Sequence, residues 1–553
     1  MNMPGEATTQ IVFSSDARKQ LLVGIDKAAD AIGCTLGPKG KTVLIQRMHP
    51  MAPLVTKDGV TVSKSIKLSD PIQRMGADLV REAASQTNDV SGDGTTTASV
   101  LTQALVREGM KLVEAGHSSL AVCRGINTTV ELVLEELKRQ AKPVQTSEEV
   151  AQVGTISANG DTVIGQLIAD AMDKVGRDGV ITVEDAKGMS TSMEVVEGMQ
   201  IDRGYVSPYF VTDPERMRAV YDEAAVLVTD RKLSSFQDIV PALEKVMQLR
   251  KPLLIIAEDF EGDAMTGLVI NRAQGKLPVI AVKAPGYGQH RQELLQDICV
   301  LTGATLVSAA TGINLKDVVQ DHLGSVKKVT CDAKVTTIVA GTKTKENVAK
   351  HVEQIRTQAQ DVSLAADELT KLKMRAAKLA NGVAVLRVGG ATEIEMQERK
   401  FRIEDALNAT KAATEEGLVP GGGMALFNAV AKVRAQVGKA DGVDPEEVQG
   451  ANAVFRACLA PLQKIVNNAG KSADVVVAEL ERANKQVPLA NDNRGYNAAT
   501  GEYCDLVEAG VIDPVKVTRS ALKHAASVAT TFLSLDAVVF EEPAPSLESG
   551  NGK

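Results

Sequence analysis

Residues 226–310 alternate between short apolar runs and longer amphipathic runs, and this pattern constrains the fold more than any other feature of the sequence. The predicted strands are Val226–Val228, Leu253–Ala257 and Val279–Val282. The predicted helices are Phe236–Leu249, Ala264–Ala273 and His290–Leu301. Because alternating strands and helices connect by crossovers, the pattern predicts a parallel sheet with helices packed against it.

This α/β segment lies in the middle of a nearly symmetric order along the chain. Residues up to about 139 have helical periodicity, and 140–196 combine glycine-containing turns with short β-rich runs. Residues 347–380 and the last third, 421–535, are helical again. A chain of 553 residues is long enough for several domains. The symmetric order predicts nested, discontinuous domains in which both ends of the chain build one domain.

Composition excludes several classes of function. The chain has 62 basic and 70 acidic residues, so it lacks the basic excess of a protein that binds nucleic acid along its length. Aromatic residues are 3% and Trp is absent, which disfavours stacking on single-stranded bases. We find no apolar run of membrane-spanning length and no secretory signal, and the six cysteines are scattered. We therefore expect a cytoplasmic protein without a membrane partner.

Three glycine-containing segments are candidates for contact with phosphate. In the first, Thr35–Thr42, the P-loop spacing fails because Thr35 stands where glycine is required, which leaves a phosphate-binding turn or a plain loop. The second, Gly92–Ala98, places an Asp between two glycines before three threonines that open a helix. The third, Pro420–Gly423, permits close approach of a ligand and is equally typical of a helix-ending turn.

The Gly92–Ala98 segment carries the strongest signal of the three. A helix N-terminus offers unpaired N–H groups and the positive end of the helix dipole, which suit phosphate. Asp93 could hold Mg²⁺, a cation that prefers oxygen ligands. The alternative is an ordinary Asp or Thr N-cap, which needs only one such residue. Asp58 and Asp405 are candidates to orient a water for ATP hydrolysis, although spacing alone favours a solvated surface charge or a cap for each.

Eleven motifs then occur in a fixed order between residues 35 and 522. They are TLGPKG (35–40), TKDGV (56–60), GDGTTTA (92–98), QVGTISAN (152–159), DKVGRDGVITVED (173–185), EGMQIDRGYVSPYF (197–210), KPLLIIAED (251–259), EDALNATKAATEEG (404–417), PGGG (420–423), GYNAAT (495–500) and DPVKVTRSAL (513–522). In these motifs the chain resembles the group I chaperonins, the bacterial-type heat-shock chaperonin family, as a divergent member. Chance agreement over this length is negligible.

The resemblance implies a multi-domain α and α/β fold with nested discontinuous domains. A mainly helical equatorial domain, which binds ATP and makes ring contacts, would combine 1–139 and 416–541. A small α/β intermediate hinge domain would combine 140–196 and 384–415, and an α/β apical domain would occupy 197–383. Residues 542–553 would form a disordered tail.

The resemblance also implies an ATP site, position by position. Asp405 would orient the attacking water with help from Asp58, and Asp93 would ligate Mg²⁺; K⁺ is an optional further ion. Because Asp405 would belong to the intermediate domain and Asp93 to the equatorial one, hydrolysis would wait for domain closure. The remaining ATP-binding residues would be Thr35, Leu36, Gly37, Pro38, Lys57, Gly94, Thr95, Thr96, Thr97, Gly422, Asn497, Ala498, Ala499 and Asp513.

The family's second site is an apolar apical face for non-native polypeptides. The residues implied are Tyr205, Tyr209, Phe210, Val240, Leu243, Met265, Val269 and Ile270. A small co-chaperonin lid would use the same face. Without the resemblance, the apolar width of Asp263–Ala273 favours a fully buried helix. Two allosteric pairs are also implied, Arg203 with Glu393 between subunits and Asp161 with Arg402 within one.

The function implied is an ATPase that folds proteins inside a homo-oligomeric, seven-membered ring, single or double. Three departures bear on this expectation. Gln463 and Ser472 replace a charged pair expected at the ring–ring contact, and the C-terminal tail lacks the family's Gly-Gly-Met repeat. A ring-forming scaffold with vestigial ATPase activity is the alternative, disfavoured because Asp93 and Asp405 are both present. A small-molecule kinase lacks a visible polar substrate pocket.

Overall fold

The computed structural model describes residues 8–46, 53–158, 160–176, 179–186, 188–214, 216–341, 344–359, 366–437, 444–486 and 493–542. The predicted disordered tail, apart from Glu542, lies outside the described residues. The described residues form two compact units. The first joins 1–169 with 397–553, and the second comprises 170–396. The three-domain division stays a prediction.

The first part of the chain is mainly helical. Its elements are β1 (Thr8–Phe13), α1 (Ser14–Gly33), β2 (Val43–Ile45), β3 (Leu54–Thr56), α2 (Gly59–Ser65), α3 (Pro71–Ser91), α4 (Thr95–Glu114), α5 (Ser119–Gln140), α6 (Ser147–Ser157) and α7 (Thr162–Val175). Local sequence fixes several of the helix starts. Asp70 accepts a hydrogen bond from the Gln73 N–H at 2.8 Å just before Pro71, and Thr146 forms a reciprocal capping box with Glu149.

The middle of the chain holds most of the strands. Its elements are β4 (Val180–Asp185), β5 (Ser192–Val196), β6 (Gly198–Ile201), the 3₁₀ turn Pro208–Phe210, β7 (Ala219–Asp222), β8 (Ala225–Val228), β9 (Lys232–Leu233), α8 (Phe236–Leu249), β10 (Leu253–Ala257), β11 (Asp259–Phe260), α9 (Gly262–Ala273), β12 (Val279–Lys283), α10 (Gly288–Thr302), the 3₁₀ turns Leu315–Asp317 and Gln320–His322, β13 (Gly324–Cys331), β14 (Thr336–Ala340), α11 (Lys345–Gln358), α12 (Ala366–Ala380) and β15 (Val383–Val388).

The last part returns to helices. Its elements are α13 (Glu393–Glu416), β16 (Leu418–Pro420), α14 (Met424–Val437), α15 (Pro445–Ala457), α16 (Ala460–Asn468), α17 (Ala473–Gln486), β17 (Arg494–Asn497), β18 (Glu502–Asp505), β19 (Ile512–Pro514), α18 (Val515–Ser534) and β20 (Ala537–Glu542). In the first unit, α1, α3, α4, α5, α14, α15 and α18 share one apolar core, and β1 pairs antiparallel with β20.

The second unit is built on a seven-stranded mixed sheet. Strands β8, β10 and β12 are parallel, as the alternation in the sequence predicts, while β13, β14, β6 and β7 add antiparallel neighbours. Alternate residues of β10 point to opposite faces. Leu254 and Ile256 pack with α10, α11 and α12, whereas Leu253 and Ile255 pack with α8 and α9. A smaller sheet in the same unit has the order β4-β15-β5.

Within the part of the chain that the structure describes, no helix combines the length and apolar character needed to cross a bilayer.

Candidate functional site

The three glycine-containing segments, together with Asp58, converge in the first unit. Asp58 follows β3 and caps α2, accepting hydrogen bonds from the N–H groups of Val60 at 3.1 Å and Thr61 at 2.9 Å. The cap interpretation of Asp58 is therefore observed. A Cβ on Gly59 would lie 2.8 Å from the Thr95 hydroxyl, so the start of α2 touches the start of α4.

Helix α4 begins without a side-chain cap among the described residues. Gly94 precedes it in the left-handed conformation with φ of 84°. The Gly94 N–H donates to Asp93 Oδ1 at 2.5 Å, which turns the Asp93 carboxylate back toward the loop. The alternative of an ordinary Asp or Thr N-cap is thus not what the structure adopts. The first N–H groups of α4 have the arrangement that binds phosphate.

The TLGPKG segment lies against the same helix start. Thr35 is buried, and its hydroxyl lies 3.5 Å from that of Thr96. The Asn468 side-chain amide donates to the carbonyl oxygens of Gly33 at 3.0 Å and Leu36 at 2.9 Å, which fixes the segment. The predicted residues Pro38 and Lys57 are exposed, whereas Leu36 and Gly37 are half-buried.

The PGGG segment and the GYNAAT segment lie beside each other and form another side of the candidate site. Strand β16 pairs with β19, which places Val419 opposite Asp513. A Cβ on Gly421 would lie 3.1 Å from Asp513 Oδ1, whereas one on Gly422 would meet nothing nearer than 4.0 Å, at the Tyr496 carbonyl oxygen and Val511. Gly422 therefore borders open space with φ of 65°. Both interpretations of the triglycine, a turn and a surface open to a ligand, fit this geometry.

Strands β17 and β18 form the hairpin that carries the remaining predicted nucleotide residues. Asn497 Oδ1 accepts a hydrogen bond from the Ala499 N–H at 3.0 Å, Ala498 is buried, and Ala499 is exposed. Main-chain groups at this turn are therefore held in a fixed conformation beside the PGGG segment.

Three carboxylates, those of Asp58, Asp93 and Asp513, lie close enough in this site for their charges to interact. Burial raises the pKa of Asp93, with a smaller contribution from the charge of Asp58, against the lowering effect of the Gly94 hydrogen bond. Burial and the charge of Asp93 raise the pKa of Asp513 to about 7. Carboxylates that raise one another's pKa are stabilised by a cation between them. The donor set therefore fits a hard divalent cation that completes its coordination with phosphate and water.

No group of three or more His, Cys, Asp or Glu side chains in the described ranges could hold a metal ion by itself.

Asp405 lies on α13, and its side chain is partly exposed. It belongs to the same compact unit as Asp93. The Asn408 side-chain amide, one turn later, donates to the Gly92 carbonyl oxygen at 3.3 Å, so α13 touches the phosphate-binding candidate loop directly. Sequence reasoning missed Asn408 and Asn468, because an isolated Asn carries no spacing signal.

The predicted polypeptide-binding residues lie in the second unit with mixed exposure. Tyr209 and Ile270 are 73% and 47% exposed, and Tyr205, Val240, Met265 and Val269 are half-buried. Phe210 is fully buried and Leu243 is 5% exposed, because both side chains pack in the core beneath α8 and α9. These two are not surface residues in this structure. Helix α9 buries only Ala264 and Leu268, so it is not the fully buried helix of the alternative interpretation.

Of the two predicted allosteric pairs, one is in contact within the chain. Arg402 Nη1 lies 3.8 Å from Asp161 Oδ2, which places this pair in contact. Arg203 donates to the Tyr287 hydroxyl at 3.2 Å. Glu393 begins α13 and is exposed.

Gln463, at the predicted ring–ring contact, lines a cavity of about 500 Å³ together with Lys111, Arg456 and Lys464.

Two comparisons relate the chain to known proteins. The model of the TCP-1/cpn60 chaperonin family matches residues 28–543. The chain is also similar to two crystal structures of the chaperonin gp146 from bacteriophage EL 2 (Pseudomonas aeruginosa), both in the presence of ATP-BeFx. The form II structure has 23% identity and a TM-score of 0.67, and the alignment covers 96% of this chain and 99% of that one. The form I structure has the same identity and coverage with a TM-score of 0.61.

Proposed function

Because the chain belongs to the TCP-1/cpn60 chaperonin family, we propose that it is an ATP-dependent chaperone that captures non-native polypeptides and promotes their folding. The observation that carries the proposal is the uncapped N-terminus of α4 beside the glycine-rich walls and the carboxylates Asp93 and Asp513. The gp146 structures, named as chaperonins in the presence of ATP-BeFx, are compatible with a nucleotide in this position.

The triphosphate of ATP binds at the loop Gly92–Thr97. The N–H groups of α4 and the hydroxyls of Thr95, Thr96 and Thr97 donate to phosphate oxygens. Gly94 precedes these donors in the left-handed conformation. Thr35 approaches from the TLGPKG segment, and Lys57 supplies a positive charge from the end of β3. The opening beside Gly422 and the turn at Asn497 accommodate the nucleoside.

Asp93, with Asp513 nearby, holds Mg²⁺, which neutralises phosphate charge when it is bound. Bound cation favours the ionised forms of both carboxylates, whose pKa values are raised in its absence. K⁺ as a further ion stays a prediction from the family resemblance.

Asp405 orients the water that attacks the terminal phosphate. A carboxylate can accept a hydrogen bond from water and hold it in line with the bond that breaks. Asp58 assists by fixing the start of α2 next to Thr95, since its two oxygens are already engaged by the α2 cap. Coupling of this step to movement between domains stays a prediction.

The polypeptide-binding surface is the exposed apolar part of α8, α9 and the turn at Tyr209. Ile270, Tyr209 and the half-buried Val240, Met265 and Val269 supply it. Apolar contact is nondirectional, and flexible Met side chains adapt to different partners, so such a surface accepts many unfolded chains. The resemblance adds a co-chaperonin lid on the same surface.

Self-assembly is favoured by two small sheets in the first unit that leave apolar side chains exposed. In β1 and β20 these are Ile11, Phe13 and Val539, at 52%, 61% and 58% exposure. In β2 and β3 they are Leu44 and Val55, at 69% and 49%. Apolar side chains of this kind mark interfaces. A homo-oligomeric ring of seven, single or double, and a cytoplasmic location remain the expectations drawn from the sequence.

The test is the refolding yield of a chemically denatured, aggregation-prone enzyme, with and without ATP. We expect wild type to raise the yield only with ATP, Asp405→Ala to capture the substrate without productive release, and Ile270→Glu to lose capture while it retains ATPase activity. Val195→Glu is the matched control, because Val195 is 43% exposed on β5, outside the proposed surface. Capture without ATP-dependent folding by wild type would favour a holdase or scaffold instead.

A further inference from the structure

The contact between Asn408 and Gly92 ties the helix of Asp405 to the phosphate-binding loop. Asn408 Nδ2 donates to the Gly92 carbonyl oxygen at 3.3 Å. A Cβ placed on Gly92 would lie 2.5 Å from the Asn408 Cβ, so the helix and the loop meet at van der Waals distance. This position tolerates no larger residue than glycine without moving α13.

The Gly92 carbonyl is a fixed acceptor. Gly92 ends α3 in the left-handed conformation with φ of 72°, and its own N–H donates to the Asn88 carbonyl oxygen at 2.7 Å. The same peptide unit that carries this carbonyl continues into Asp93. A hydrogen bond to the Gly92 oxygen therefore anchors α13 to the residue that precedes the proposed Mg²⁺ ligand.

Asp405 lies three residues before Asn408, and positions three apart share one face of a helix. The neighbouring residues Ile403, Ala406, Leu407, Ala409 and Thr410 are buried, which holds α13 by another side. The Asn408 bond thus supplies the contact on the Asp405 side of the helix. It therefore restrains the turn of α13 that carries Asp405 relative to Gly92.

We propose that Asn408 is a positioning residue, which sets the place of the Asp405 carboxylate over the phosphate-binding loop through its amide bond to Gly92. The inference rests on the proposed function, because it gives Asp405 the task of orienting water. An amide suits the position better than a carboxylate: it donates to a carbonyl and adds no charge beside Asp93, whose ionised form is already disfavoured.

The first test compares Asn408→Ala with wild type in steady-state ATP hydrolysis and in binding of a fluorescent ATP analogue. Misplacement of a catalytic group by about 1 Å costs on the order of 100-fold in rate. We expect kcat to fall about 10- to 100-fold with the dissociation constant of the analogue nearly unchanged. Asn408→Gln, which keeps the amide donor, should restore part of the rate.

The second test is a double-mutant cycle with Asp405→Ala, measured by single-turnover hydrolysis at high protein concentration. If Asn408 acts through Asp405, then Asn408→Ala lowers the residual rate of Asp405→Ala no further. Equal fold losses in both backgrounds would overturn the proposal. Asn314→Ala, which removes a side-chain amide bond to Asp317 in the second unit, is the control with unchanged hydrolysis.

Gly92→Ala supplies a second variant, because the added methyl group would push α13 away; strain at its left-handed φ of 72° acts on the loop too, so analogue binding is measured beside kcat. We expect the same loss of kcat. A loss of analogue binding in Asn408→Ala, with kcat retained at saturating ATP, would instead assign Asn408 to the shape of the loop. Absence of hydrolysis in wild type would reject the proposed function itself, whereas an active wild type, an inactive Asp405→Ala and an unaffected Asn408→Ala would reject only this inference.

Discussion

The two compact units differ in how their carboxylates are paired: Asp297 of the second unit is fully buried among cations, whereas Asp93 and Asp513 of the first unit are half-buried. In the second unit, Asp297 is 1% exposed and receives two hydrogen bonds from Arg375, each at 2.8 Å, and one contact from His351 at 2.7 Å. In the first unit, no Lys, Arg or His of the described residues forms an ion pair with Asp93 or Asp513. The paired carboxylate joins helices α10, α11 and α12, whereas the unpaired ones line a site.

This difference shows how the same residue type serves structure in one place and binding in another. A buried charge with its partners in place is satisfied and holds its neighbours in one arrangement. Carboxylates left close together without a cation carry an electrostatic cost that a ligand can relieve. The Asp297 cluster therefore stabilises the second unit without a ligand, whereas the proposed binding of Mg²⁺ and nucleotide would stabilise the first unit further.

The largest expected effect comes from breaking the paired cluster. Arg375→Ala leaves the buried Asp297 with too few partners, and removing one partner of a buried ion pair costs about 3–5 kcal/mol. We expect the urea midpoint of the second unit to fall accordingly, with ATP binding unaffected. Adding Asp297→Ala should recover part of the loss. An unchanged midpoint would show that the cluster does not stabilise the fold.

Substitution of Asp93 is expected to change stability less than Arg375→Ala does, and in the opposite direction. Asp93→Asn removes one of the mutually repelling charges, so the free energy of unfolding without nucleotide should stay constant or rise. Affinity for ATP with Mg²⁺ should fall by at least about 10-fold, because a metal contact is lost. Titration calorimetry with and without Mg²⁺ measures both binding constants. Destabilisation as large as that of Arg375→Ala would abolish the contrast between the two units.

The pH dependence of stability gives a third comparison. The pKa of Asp513 is about 7 in the folded chain and 3.8 for an ordinary Asp. Between these values the folded state keeps a proton that the unfolded state has released, so stability without nucleotide falls as pH rises from about 4 to about 7 and then levels off. Urea midpoints at several pH values test this slope. Asp513→Asn should remove it, and an unchanged slope would assign it to other groups.

The smallest effect is expected for the Asp161–Arg402 pair. The two side chains are 33% and 27% exposed, and their charged atoms lie 3.8 Å apart. Exposed ion pairs of this kind contribute at most about 1 kcal/mol. A double-mutant cycle on thermal stability should therefore give a coupling below that value. A coupling several times larger would show that this pair stabilises the fold as strongly as the buried Asp297 cluster.

The sequence predicted regular elements best where apolar residues were continuous. The bounds of α8 and β10 agree with the predicted Phe236–Leu249 and Leu253–Ala257. The start of helix α13 at Glu393 leaves little signal in the sequence, because its first turns are polar. The antiparallel strands β6, β7, β13 and β14 could not be placed in the sheet, since pairing between distant strands leaves no local pattern.

The sequence by itself determined the family and the alternation that builds the parallel part of the sheet. It also marked the candidate nucleotide-binding segments, because the family resemblance rests on short motifs of glycines, hydroxyls and carboxylates that are contiguous in sequence. Only the tertiary structure decided which apolar residues of the second unit are exposed. Phe210 and Ile270 are both large apolar residues that the resemblance assigns to the polypeptide-binding face. Phe210 is fully buried, whereas Ile270 is 47% exposed. The tertiary structure alone brings Asn408 to Gly92, 316 positions away in the sequence. Such a contact depends on how whole helices pack.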